Sequence, residues 1–140
     1  MTIETPTPPD STDLDAFADV LQRQEEGIPV KLHAMDGVAW LPTVVWVAGP
    51  DSKKAAEARQ ALNDDLVLKA DASSDSPDFS EHRVCLFLSY ISLRWAPPFK
   101  LDGQVLECNQ ANAYKVYRRM RFIRQQIDAG SGRHAFLKAS

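Results

Sequence analysis

The chain has 140 residues, of which 44% are apolar. This is enough for one domain with a hydrophobic core and too apolar for a wholly disordered chain. The N-terminal residues contain no apolar segment of the signal-peptide type, and the longest apolar run, residues 84–95, is well short of the roughly 20 residues of a membrane span. We therefore expect a soluble, intracellular protein with no membrane contact.

Charge is unevenly distributed along the chain. Residues 1–70 contain 12 acidic and 6 basic side chains, whereas residues 71–140 contain 7 acidic and 10 basic ones, and the net charge is −3. A basic C-terminal region on an acidic body indicates either internal charge pairing or an acidic partner.

The N-terminal part of the chain is expected to be an arm followed by a helix. Residues 1–10 include three prolines and are predicted to be disordered, so that the domain covers residues 11–138. Ser11 or Thr12 is expected to cap a helix that runs through Gln24 and ends at Gly27. One face of this helix is apolar and carries Leu14, Phe17, Ala18 and Leu21.

The next segment, Ile28 to Ala48, has the pattern of a β-hairpin. Apolar residues alternate along its first half, and Asp36-Gly37 is typical of a tight turn. The return strand is predicted from Trp40 to Val47. Pro42 cannot donate to a ladder, so the strand must start late, lie at an edge or be bulged there.

Two further helices and a linker are predicted in the middle of the chain. The first helix is capped by Asp51 or Ser52 and extends to about Leu68, and the linker at about 71–79 is expected to be mobile. The second helix, Glu81 to Trp95, is apolar on nearly all sides and is expected in the core. A pair of strands is the competing interpretation of this stretch.

The C-terminal region is predicted to form one long helix after a turn at Asp102-Gly103. Asn109 can cap it and Gly130 can end it. Its apolar residues recur at helical spacing, at Ala113, Val116, Tyr117, Met120, Ile123 and Ile127. Its remaining surface is basic, with Lys115, Arg118, Arg119, Arg121 and Arg124. The fold class predicted from these elements is α+β, mainly α: an N-terminal helix and a β-hairpin followed by three helices in one small domain.

No pattern in the sequence indicates catalysis or a cofactor. The chain lacks a glycine-rich phosphate loop, Gly-x-Ser-x-Gly and His-Glu-x-x-His. His82 and Cys85 form only one close pair of ligands, whereas a structural zinc site normally has two. Cys85 lies in an apolar segment that would raise its pKa, which disfavours a nucleophile. We predict no catalytic residues, no metal and no cofactor.

Two groups of residues indicate an interaction surface instead. Trp40 and Trp46 would lie on one side of the return strand, which is either a core face or an exposed, protein-binding one. The arginines, with Tyr114 and Tyr117 nearby, would also suit nucleic acid. The tyrosines fall on or beside the apolar face and the domain is acidic, so nucleic acid is the weaker interpretation.

Several short motifs, taken in order, resemble the tail assembly chaperones of long-tailed (siphovirus-type) bacteriophages. They are the turn Gly49-Pro-Asp-Ser52, an apolar helix closing on Trp95, Leu101-Asp-Gly103, Asn112-Ala113, and a C-terminal Ile123-Arg-Gln125 with Ile127 and Phe136-Leu137. The similarity extends over much of the chain from about Ile28.

This resemblance implies a non-enzymatic role in building a phage tail in the host bacterial cytoplasm. Such proteins are thought to coat the tape-measure protein, recruit tail-tube subunits and leave before the virion is complete. We expect Arg118, Arg119, Arg121 and Arg124 to meet acidic positions of the tape measure. Trp40 and Trp46 would supply apolar contact, and self-association is possible.

The alternatives are a structural minor tail or connector protein of the virion, a small DNA-binding regulator, and arginines that only solvate their helix or pair with the acidic half of the chain.

Overall fold

The computed structural model describes residues 11–65 and 77–137. The fold is α+β and mainly α, as predicted from the sequence, with helices packed on one face of a three-stranded antiparallel sheet. The expected disordered arm, residues 1–10, lies outside the described residues, as do the end of the helix predicted to reach Leu68 and most of the predicted linker. Within the described ranges, no helix combines the length and the apolar character needed to cross a bilayer.

The N-terminal helix begins later than predicted. A 3₁₀ turn, Leu14–Phe17, precedes α1, Ala18–Glu26. The expected cap at Ser11 or Thr12 is wrong, because Asp13 takes this role and its carboxylate accepts from the backbone N–H of Asp15 at 3.0 Å. The helix ends at Gly27, which has φ 85°. A side chain there would also lie 2.9 Å from the Val47 carbonyl oxygen, so glycine is required twice over.

The predicted hairpin is confirmed and forms two strands of the sheet. Strand β1, Ile28–His33, pairs with β2, Trp40–Val47. The turn is closed by Asp36, whose Oδ1 accepts from the backbone N–H groups of Val38 and Ala39. Pro42 lies where the β1–β2 register shifts. Of the three predicted possibilities for Pro42, the bulge is therefore correct, and its missing N–H removes no hydrogen bond from the ladder.

The apolar helix of the middle region begins and ends four residues earlier than predicted and is followed by a third strand. After α2, Lys53–Asp64, the helix α3 covers Pro77–Ile91 and the chain then enters β3, Ser92–Ala96. Extension of this helix to Trp95 was therefore wrong, as was the assignment of residues 77–79 to a linker. Strand β3 pairs with the second edge of β2, which satisfies backbone groups that would otherwise lie unpaired in the core.

The predicted C-terminal helix is two helices. A short hairpin comes first, with strands β4, Phe99–Leu101, and β5, Gln104–Leu106, joined by the predicted turn at Asp102-Gly103. Helix α4, Gln110–Arg119, and helix α5, Arg121–Gly130, then follow. Asn109 caps α4 as predicted, because its Oδ1 accepts from the Asn112 N–H at 2.8 Å.

The break between α4 and α5 lies at Met120, with φ −116° and ψ 83°. It allows α4 to pack on α3 while α5 packs on β1, which one straight helix would not permit. The predicted apolar face is nevertheless correct, since five of its members are buried and Met120 is half-buried. The five are Ala113, Val116, Tyr117, Ile123 and Ile127. A last 3₁₀ turn, Arg133–Phe136, places Phe136 in the core.

Candidate protein-interaction surfaces

The arginines predicted to form one partner-binding surface have different environments. Arg124 is only 8% exposed, and its Nη1 lies 2.5 Å from Glu81 Oε1, 3.5 Å from Cys85 Sγ and 3.4 Å from the Tyr117 carbonyl oxygen. Its assignment to the solvent-facing basic surface is therefore corrected: Arg124 is an internal ion-pair partner that joins α5 to α3.

Glu81 also receives Arg118. The Arg118 Nη1 lies 3.2 Å from Glu81 Oε2, with both side chains about one-third exposed. The hydrogen bond from Arg124 lowers the pKa of Glu81 below its ordinary value, against the opposing effect of burial, and the charges of Arg124 and Arg118 act in the same direction. Glu81 is in the C-terminal half of the chain, so among the described residues these arginines pair within that half and not with the acidic N-terminal half.

Arg119 and Arg121 are the two arginines of this set that remain exposed. Arg119 lies 3.4 Å from Asp102, but both side chains are more than half exposed, so the pair contributes little. Arg121 makes no hydrogen bond or ion pair with the described residues and lines a cavity beside Glu81. These two guanidinium groups are available to a partner.

The two hairpin tryptophans lie on the outer face of the sheet. Residues 43, 45 and 47 of β2 are buried, whereas Trp40 is 60% exposed and Trp46 is half-buried. Trp40 stacks on His33 with ring centroids 3.8 Å apart. The Arg94 guanidinium carbon lies 4.9 Å from the centroid of the Trp46 ring. We call Trp40, Val44, Trp46, Lys31 and Arg94 the sheet face.

The tip of the hairpin continues this apolar surface. Met35 is 82% exposed and Val38 is 79% exposed, on either side of the Asp36-Gly37 turn. Neither residue was predicted from the sequence to be part of a contact site, although two apolar side chains at a tight turn are a sign of one. Together with Trp40 they give the end of the hairpin an apolar character that a solvated turn does not need.

A second exposed apolar surface is formed by the N-terminal 3₁₀ turn, which carries Leu14 and Phe17, and by the start of α1, which carries Leu21. Leu14, Phe17 and Leu21 are 72%, 53% and 50% exposed, and we call these three residues the α1 face. The helix is fastened through its polar side instead. The buried Gln24 accepts from the Asp51 N–H at 2.7 Å and donates to Asp51 Oδ2 at 3.1 Å.

A groove runs along the outer side of α3 between α2 and α5. Two adjoining cavities of about 330 Å³ each share Val84. Phe87 and Leu62 continue the apolar floor, and Arg59, Arg83 and Arg121 stand on the rims. We call this surface the α3 groove. The groove could not be predicted from the sequence, because three separate helices contribute to it.

The histidine and cysteine residues weighed as a metal or catalytic set have separate environments. His82 Nδ1 lies 2.6 Å from the Tyr114 hydroxyl, and its Nε2 lies 3.2 Å from Asp65 Oδ1, so His82 connects the end of α2 to α3 and α4. Cys85 faces Arg124 instead. In the described parts of the chain, no three His, Cys, Asp or Glu side chains converge as they would around a metal ion.

Burial keeps both thiols protonated. It raises the pKa of Cys85, although the hydrogen bond from Arg124 opposes the shift. It raises the pKa of Cys108 to about 11. Because the thiolate is the nucleophile, neither residue is poised for covalent chemistry near neutral pH.

Comparison of the chain with protein-family models, curated proteins and solved structures finds no match in any of the three. The resemblance to tail assembly chaperones is therefore a prediction made from the sequence.

Proposed function

We propose that this protein is a non-enzymatic tail assembly chaperone that binds the tape-measure protein and helps recruit tail-tube subunits. The observation that supports this best is the sheet face. It presents two tryptophans and an exposed hairpin tip beside two cations, Lys31 and Arg94. A long, mostly helical client offers apolar stripes with charged flanks, and a surface of this kind can bind many such stripes without strict sequence selection.

The arginines have a smaller role in this proposal than the sequence indicated. Arg119 and Arg121 remain candidates for contacts with acidic positions of the tape measure, whereas Arg118 and Arg124 are held by Glu81. The same arrangement weakens the case for DNA, because a phosphate-binding helix needs its cations free.

The experiment is co-expression of the tagged protein with the tape-measure and tail-tube proteins of the same genome, followed by pull-down and an assay of tape-measure solubility. Replacing Trp40 and Trp46 by Ala should reduce tape-measure retention by at least about tenfold, since aromatic anchors dominate interface energies. The matched control is Val105→Ala, because Val105 is 64% exposed but lies on β5, away from the sheet face.

Two results would count against the proposal. One is a tape measure that precipitates equally with and without this protein. The other is an unchanged retention by the double tryptophan variant with an unchanged melting temperature. Detection of the chain in purified virions at a fixed stoichiometry would favour a structural tail component instead.

A further inference from the structure

The α1 face is exposed because hydrogen bonds fix the opposite side of the helix to the domain. Arg23 donates to the Phe136 carbonyl, Gln24 bonds twice to Asp51, and Glu25 accepts from the Lys53 N–H. These contacts hold the polar side of α1 against the domain, and all of residues 11–19 are exposed. An amphipathic helix normally turns its apolar face inward, so this inverted attachment indicates a partner for the α1 face.

A partner for the α1 face is not found among the described residues of the same folded chain, because the attachment of Gln24 and Arg23 points this face away from them. The partner must also be basic. Residues 11–26 contain five acidic side chains and one basic one, Arg23, and Arg23 is already bonded to Phe136. Two copies of α1 packed on each other would bring Asp13, Asp15 and Asp19 against like charges, which is unfavourable.

The α3 groove has the complementary properties. Its floor, at Leu62, Val84 and Phe87, is apolar and only partly buried. Its cavities fall at the low end of the range of about 300–1,000 Å³ found for ligand sites. Arg83 and Arg121 on its rim make no ion pair with the described residues. Two acids also line the groove: Glu81 is paired with Arg124, whereas Asp128 has no arginine partner within the described ranges.

We propose that the α1 face of one molecule docks in the α3 groove of a second copy of this chain. Phe17 and Leu21 enter the cavities around Val84, and the acids beside them face Arg83 and Arg121. This is helix-in-groove recognition. Because the two surfaces are different, the contact either forms twice between two copies, which gives a closed dimer, or repeats from copy to copy, which gives a larger ring or a filament.

This inference goes beyond tape-measure binding and does not depend on it. Of the residues proposed to contact the tape measure, Trp40, Trp46 and Arg119 take no part in the docking of α1, and Arg121 belongs to both surfaces. An assembly of this kind would place several sheet faces side by side, so that weak contacts with a long client act together.

The test uses two full-length variants and sedimentation velocity at micromolar to submillimolar concentration. The first carries Phe17→Asp and Leu21→Asp and keeps its groove. The second carries Arg83→Glu and Arg121→Glu and keeps its α1 face. The wild-type chain should form dimers or larger oligomers, and each variant alone should have a dissociation constant raised at least about tenfold.

The decisive arm is the mixture of the two variants. Each copy of the first has an intact groove and each copy of the second has an intact α1 face, so the mixture should form a one-to-one dimer and nothing larger. A variant that failed to fold would not restore association, which makes this arm independent of folding defects. Val105→Asp and Lys115→Glu, on exposed positions outside both surfaces, are the matched controls and should assemble as the wild type does.

Three outcomes would overturn the inference. A wild-type chain that stays monomeric across the concentration range shows that α1 has another partner or none. Wild-type assembly that persists in the first variant shows that another surface holds the oligomer. A mixture that stays monomeric shows that the α1 face and the α3 groove do not meet.

Discussion

Glu81 receives two guanidinium groups that differ in burial, and a third arginine nearby pairs at the surface. The side chain of Arg124 is 10% exposed, that of Arg118 33% and that of Arg119 54%. Water screens an ion pair in proportion to its exposure, and removal of one member of a desolvated pair leaves the other uncompensated. These three arginines therefore form a series in which the exposure of the ion pair increases.

We expect Arg124→Ala to lower the free energy of unfolding by about 2–3 kcal/mol, because it strips Glu81 of its closest partner in a partly buried site. Arg118→Ala should cost about 0.5–1 kcal/mol, and Arg119→Ala should be indistinguishable from the wild type. Urea denaturation of the three variants measures this order. Equal effects at Arg124 and Arg119 would show that the Glu81 site is not desolvated.

The ion pair at Glu81 also predicts a pH dependence. Its pKa is lowered from 4.5 in the folded protein, so its contribution to stability is fully present above that value and is lost as pH falls through the lowered pKa. The difference in unfolding free energy between the wild type and Glu81→Gln should be constant above about pH 5 and shrink at lower pH. A difference that grows on acidification would contradict the assigned direction.

Among the elements, the edge strand β1 is covered by a side chain of α5. Gln126 Oε1 accepts from the His33 N–H at 2.7 Å, and Gln126 Nε2 donates to the His33 carbonyl at 2.9 Å. The side-chain amide thus imitates the next strand of the sheet. It satisfies a donor and an acceptor that an edge strand leaves open to pairing with other chains.

Gln126→Ala should lower the free energy of unfolding by about 1–2 kcal/mol, since both backbone groups of His33 lose their partner. It should also abolish the protection of the His33 amide against hydrogen exchange, while the amides of the β1–β2 ladder stay protected. Gln125→Ala is the control, because Gln125 is exposed on the same turn of α5. Protection at His33 that survives in Gln126→Ala would mean that the strand edge is covered in another way.

For the molecule as a whole, the features that local chemistry determines could be predicted from sequence. The turn at Asp36-Gly37, the cap at Asn109 and the apolar face of the C-terminal region depend on residues close together in the chain. Each appears in the structure where the pattern placed it.

The features that were missed depend on distant partners. Residues 92–96 suit helix and strand equally, and the free edge of β2 decides for strand. Arg124 resembles its basic neighbours in sequence. It differs from them because it pairs with Glu81, which lies 43 positions away in the chain. The α1 face follows a regular amphipathic pattern, yet the bonds of Gln24 to Asp51 turn it outward. Of all the features of the structure, the interaction surfaces were therefore the least predictable from the sequence.

The two thiols provide a probe of the whole molecule, because they lie at different depths. Cys85 is fully buried between α3 and α5, whereas Cys108 is half-buried and its pKa is about 11. At pH 8 a thiol with that pKa is ionised in about one molecule in a thousand. Reaction with a disulfide reagent therefore reports ionisation at Cys108 and opening of the fold at Cys85.

In a Cys85→Ser variant, we expect the remaining thiol to react slowly without denaturant. Its rate should increase about tenfold for each unit by which the pH is raised, as long as the pH stays below the pKa. In a Cys108→Ser variant, Cys85 should react at a rate that follows the equilibrium population of the unfolded state as urea is added. Fast labelling of Cys85 in native buffer would instead mean that α5 separates from α3 locally. The Arg124–Glu81 pair would then join two elements that move independently, and the α3 groove between them would lack a fixed wall.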